Sequence, residues 1–146
     1  NQLTAGKDLE IKILWPTEPA FDEPALDLND KSTVYLVKFH TINILLCSDV
    51  GKYPQGRLLV LLPDLKADVV VVPHHGSVRS REPGFLESLG ADFLICSCDQ
   101  TQYERIIPTY EKMPGSFFCT ASDGAVTVTV ADDGTIKTHG FIKTKK

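Results

Sequence analysis

The residues best equipped for chemistry lie in the segment Val69-Val-Val-Val-Pro-His-His-Gly-Ser77, where two imidazoles and a hydroxyl follow an unbroken valine run. Gly76 lets the backbone turn tightly there, and a buried valine strand would hold the polar loop on a rigid support. Asp49 closes another apolar run, Asn43 to Cys47. A neutral imidazole and a carboxylate are both deprotonated ligands near pH 7, so such residues at neighbouring strand tips suit zinc or manganese. Two ligands alone hold a metal weakly. The plainer reading makes Asp49 a turn carboxylate and His74 and His75 a loop pair bonded to backbone.

Other chemistries find less support. A triad of Ser77 with a histidine and an aspartate lacks the GxSxG elbow, and His75 is too close in sequence to aim at Ser77. His40, in a predicted hairpin turn, and His139, near the C-terminus, read as surface residues. Asp22-Glu23 and Asp132-Asp133 read as solvated loop charge. Neither GxxxxGK[ST] nor GxGxxG occurs, so phosphate cradling by a glycine-rich loop is excluded. The four cysteines, Cys47, Cys96, Cys98 and Cys119, lie in or beside apolar runs without CxxC pairing and read as buried thiols. Cys96 and Cys98 share one strand face with Leu94; half a metal site is the sharper alternative to core packing.

The elements that must position these groups are legible as a pattern. A short strand is predicted at residues 10–14, then a Pro-rich, acidic loop over residues 17–31. β-Branched and aromatic runs over residues 33–39 and 43–47 predict an antiparallel hairpin that delivers Asp49 to a strand tip. Leucines between Gln55 and Leu65 predict a helix packed on a sheet and ended near Pro63. Residues 68–72 predict a strand buried on both faces. Ser80 is the predicted cap of a short helix carrying Phe85, Leu86 and Leu89, with Gly90 as its stop. Strands at 92–98 and 116–120, with a weak helical signal at 109–112 between them, predict parallel pairing. Residues 125–130 and 135–141 around Asp132-Asp133-Gly134 predict a closing antiparallel hairpin. Residues 142–146 form a basic tail.

With 146 residues, 42% hydrophobic and 23% charged, the chain suits one domain with one core. Nineteen acidic against fifteen basic residues give a net charge of -4, which disfavours non-specific DNA binding by bulk charge. No apolar run approaches the roughly 18–20 residues that span a bilayer, and residues 1–7 lack a signal-peptide pattern. The segment is therefore expected to make no membrane contact, and the missing initiator methionine suggests a piece of something longer.

The order Leu14-Trp-Pro, Asn29-Asp-Lys-Ser-Thr-Val34, Ile44-Leu-Leu-Cys-Ser-Asp49, Ala67 through Pro-His-His-Gly-Ser77, Phe85-Leu86 and Ala91-Asp-Phe-Leu-Ile95 resembles the C-terminal half of a metallo-β-lactamase-fold domain, specifically that of the ComEC/Rec2 DNA-uptake competence proteins. The resemblance implies an α/β fold: one half of an αββα sandwich, a mixed β-sheet with helices on one face and a C-terminal antiparallel hairpin, residues 1–146 forming one domain. It implies a dinuclear zinc or manganese centre that activates water against a phosphodiester, with Asp49 bridging the metals, His74 a further ligand, and His75 and Ser77 supporting or facing substrate.

The family's HxHxDH ligands and the histidine after them would lie before residue 1, so this chain by itself is expected to be inactive. The glycine expected before the aspartate is Ser48, and the family's later histidine-bearing stretch corresponds to Gln102 through Pro108, which has none. The expected partners are the missing N-terminal half or a second copy of the chain, with nucleic acid or another phosphodiester as substrate. The parent would be a bacterial inner-membrane protein of DNA uptake. The alternative is a non-catalytic interaction module that keeps the fold without the chemistry.

Overall fold

A computed structural model of the chain describes residues 2–4, 8–21 and 23–142. Residues 143–146 of the predicted basic tail lie outside the described residues, as does Asp22. Seven strands form one mixed sheet in sequence order: β1 (Gln2–Thr4), β2 (Leu9–Trp15), β3 (Val34–Phe39), β4 (Ile42–Leu46), β5 (Val69–Val71), β6 (Phe93–Cys96) and β7 (Ser116–Cys119). The first four pair antiparallel and β4 through β7 pair parallel. The chain is thus α/β, with the predicted hairpin β3–β4 in place. The C-terminal hairpin, β8 (Val126–Val130) and β9 (Ile136–Gly140), forms a separate antiparallel pair.

Strand pleating gives the sheet two apolar faces. On one, Leu36, Leu45, Val70 and Leu94 share a register row and are buried together with Val34, Cys47, Val72, Cys96 and Cys119. The helices cover this face. α2 (Lys52–Leu61) contributes Leu58, α3 (Phe85–Leu89) contributes Phe85, Leu86 and Leu89, and α4 (Gln100–Tyr110) contributes Ile106 and Tyr110 to the same core. On the opposite face, Ile13, Tyr35, Leu46, Val71, Ile95 and Phe118 form another register row. All six keep solvent contact. The tip of the β8–β9 hairpin reaches the far end of that face, where Gly134 lies against Thr41 and Ile42.

Local structure departs from expectation in several places, including strand β1 and a helical turn at Thr120–Asp123, neither of which the sequence pattern predicts. The 17–31 loop holds one helical turn, α1 (Glu18–Phe21). The helical signal at 109–112 is the end of α4, whose N-cap is Asp99, accepting from the Gln102 amide at 2.7 Å. Its polar residues face outward while Ile106 and Tyr110 turn inward, so few apolar positions mark it in the sequence. Ser80 does not cap α3; that helix starts after the left-handed Gly84, and Gly90 ends it as predicted. Ser80 instead closes a 3-10 turn, and its carbonyl accepts from Gln55 Nε2 at 2.8 Å.

Gln55 is the polar tie between α2 and the segment that follows the histidines. It is fully buried, donates also to the Val50 carbonyl at 3.1 Å, and accepts from the Glu82 amide at 2.9 Å. A leucine of similar volume would strand three backbone groups. Gln55→Leu is expected to lower stability by about 2–4 kcal/mol in urea denaturation.

Candidate functional site

Parallel strands present their carboxyl ends at one edge of the sheet, where α/β folds place ligands. Here the edge collects Asp49 after β4, His74 and His75 after β5, and Ser97, Cys98 and Asp99 after β6. The first two loops are clipped together, since the His74 amide donates to the Ser48 carbonyl at 2.9 Å. Buried Cys47 and Val50 bracket the Ser48-Asp49 turn and anchor it in the core.

The backbone is bent into the left-handed region at the first two of these three turns. Ser48 has φ 51°, His74 φ 49°, His75 φ 53° and Gly76 φ 75°. For residues with a Cβ this conformation costs about 1–2 kcal/mol each, so surrounding contacts must hold it. The close turn expected of a glycine before Asp49 is therefore kept, with serine in the strained position. Gly76 faces a second demand. A Cβ there would lie 2.7 Å from Ile106 Cδ1 and 3.0 Å from Cys96 Sγ, so the histidine turn sits directly on the core.

Both imidazoles are oriented by backbone carbonyls. His74 Nδ1 is 3.2 Å from the Asp49 carbonyl and His75 Nδ1 is 2.7 Å from the Ser97 carbonyl. A carbonyl can only accept, so both Nδ1 atoms carry the proton that each contact requires. His75 Nε2 then faces Asp49 Oδ1 at 3.5 Å. His74, the histidine expected to join Asp49 in a ligand set, touches it through the main chain, whereas His75 faces its carboxylate. Ser77 Oγ accepts from Ser80 Oγ at 3.2 Å and takes part in no bond to either imidazole. His40 is exposed in its turn and His139 on β9, as read from the sequence.

His74, His75, Ser77 and Gln102 line a cleft of about 520 Å³ with the loop of Ser97, Cys98 and Asp99. A neighbouring cavity of about 600 Å³ shares Ser77 and Gln102 and adds Arg79 and Arg105. Among the described residues, neither arginine is engaged by a carboxylate within salt-bridge distance. Gln102 and Arg105 escaped the sequence reading because α4 did, and Arg79 because it lies in a 3-10 turn beyond the histidines.

The cysteines are buried or half-buried thiols, as expected. Burial pushes the Cys47 and Cys96 thiols upward, and burial with the neighbouring Cys119 raises Cys98 to about 11. Cys96 and Cys98 are joined by Cys119 from the adjacent strand, the three sulfurs lying within 4.8 Å of one another, and this group could hold a metal ion.

Two substitutions test the turn. Ser48→Gly is expected to raise stability by roughly 0.5–1 kcal/mol, because it releases left-handed strain. Gly76→Ala is expected to lower it by about 1–3 kcal/mol through the clash with Ile106 and Cys96. Denaturant midpoints at unchanged slope measure both.

No family model matches the chain. It is similar to the ComE operon protein 3 of Bacillus subtilis (strain 168), with 32% identity over 91 residues. That stretch is 62% of this chain and 11% of the relative, so the chain matches about a tenth of that protein's length. The similarity supports the resemblance to the ComEC competence family drawn from the sequence.

Proposed function

We propose that this chain is the C-terminal half of a metallo-β-lactamase-like, ComEC-type hydrolase domain, a metal-dependent phosphodiesterase linked to DNA uptake at the bacterial inner membrane. One observation carries the metal reading. With Nδ1–H committed to the Ser97 carbonyl, His75 Nε2 presents a lone pair to the Asp49 carboxylate across 3.5 Å. Two electron-rich atoms at that separation need a proton or a cation between them. The donor set, one imidazole nitrogen and one carboxylate with the imidazole oriented by a carbonyl, fits zinc or manganese.

Asp49 and His75 would hold the metal, and His74 would position Asp49 through its main chain while turning its own Nε2 to the cleft. A bound zinc or manganese would supply Lewis acidity toward a phosphoryl oxygen and lower the pKa of a coordinated water. Arg79 and Arg105, which have no carboxylate within salt-bridge distance among the described residues, suit a further phosphate of the same strand. Asp49 and one histidine are too few for catalysis, so the remaining ligands would come from an N-terminal half carrying HxHxDH. The row from Ile13 to Phe118, which keeps solvent contact, is the face such a half would bury, since a sheet apolar on both sides is built to lie between two layers.

Metal content and zinc and manganese affinity of the full-length protein test this reading. Asp49→Ala and His75→Ala are each expected to weaken binding by more than about 100-fold and to abolish phosphodiester hydrolysis. His74→Ala, acting through Asp49, is expected to cost about 10-fold. An equal loss from His74→Ala would return the ligand role to His74. Absence of metal binding in the unaltered protein would leave a non-catalytic interaction module.

A further inference from the structure

The geometry points to a separate thiophilic metal site formed by Cys96, Cys98 and Cys119, taking one zinc-class ion beneath the histidine turn. Cys96 and Cys119 are register partners on β6 and β7, and both are fully buried. Cys98 lies just past β6, with its sulfur 3.3 Å from that of Cys119. Zinc–thiolate bonds of about 2.3 Å in tetrahedral geometry place sulfurs roughly 3.8 Å apart. That separation falls between the 3.3 Å of Cys98 and Cys119 and the 4.8 Å within which all three sulfurs lie.

The ligand positions are braced from outside the set. Thr120 Oγ accepts from the Cys98 amide and donates to the Cys98 carbonyl, both at 3.1 Å. The Asp123 carboxylate accepts from the Cys119 amide at 2.8 Å. Such contacts to the main chain of ligands fix sulfur positions before a metal arrives. Cys98 alone of the three lines the 520 Å³ cleft, so the fourth coordination position opens there and would be filled by water.

Two plainer uses of the cluster explain less. Apolar packing needs no thiols converging from two strands and a loop. A Cys98–Cys119 disulfide requires the sulfurs to close from 3.3 Å to about 2.05 Å and leaves buried Cys96 without a role. A three-sulfur site uses all three. Ser97 sits between two of the ligands, and its carbonyl orients His75. An ion at the cysteines would therefore stiffen the support of the neighbouring site. The cysteine site itself does not depend on the phosphodiesterase reading.

Cobalt(II) titration of the reduced, full-length protein under anaerobic conditions is the test. One equivalent of cobalt is expected to give an intense thiolate-to-cobalt charge-transfer band, which any cobalt held at the Asp49–His75 site, having no thiolate, would not add to. Cys98→Ser, the half-exposed ligand and the variant least disturbing to the core, should weaken binding at least tenfold, and Cys119→Ser should do the same. Cys47→Ser and the double variant Asp49→Ala/His75→Ala should leave the band unchanged, which separates this site from the proposed catalytic one. A titration without thiolate charge transfer would overturn the proposal. So would a band that survives Cys98→Ser and Cys119→Ser in folded protein, or an intact mass two hydrogens lighter, mapped to Cys98–Cys119, in place of metal uptake.

Discussion

Parallel pairing of β4, β5 and β6 is the constraint on which the rest of the molecule depends. Leu45, Val70 and Leu94 lie side by side in register on the face buried by the helices. A slip of one residue in any strand would turn its buried side chains to the opposite face. Because these apolar rows fix the register, they also fix where each strand ends. The polar loops after β4, β5 and β6 therefore meet at one edge, and His75 comes within reach of both Asp49 and Ser97.

The core supports that edge from beneath as well. Gly76 rests on Cys96 and Ile106, Ser48 is held between Cys47 and Val50, and Gln55 ties α2 to the segment beyond the histidines. Each contact holds a backbone turn that a free chain would avoid. Several residues in left-handed conformation within one edge are a cost to folding that rigid surroundings must offset. Such a concentration of strain belongs where side chains must be aimed rather than merely packed.

The sheet is asymmetric in a way that bears on its surroundings. One face meets three helices and is closed, whereas the row from Ile13 to Phe118 on the other is half-buried, with Tyr35 exposed. Val69 and Ile42, nearer the hairpin tip, are buried, so the contrast runs along the face itself. A sheet with apolar residues on both sides is built to lie between two layers.

Much of this was legible in the sequence. Valine runs, alternating β-branched residues and turn glycines located every strand but β1, both hairpins and α3, because side-chain shape and backbone freedom act locally. The segment Pro73 to Ser77 and Asp49 announced themselves by chemistry alone. What sequence spacing could not decide was which atoms meet. Helix α4 was hidden because only two of its positions are fully buried in the core, and with it went Gln102 and Arg105. Cys119 joined Cys96 and Cys98 only through the β6–β7 register. The choice of His75 rather than His74 to face Asp49 came from a left-handed turn seated on Cys96, a long-range packing contact with no signature in the order of the residues.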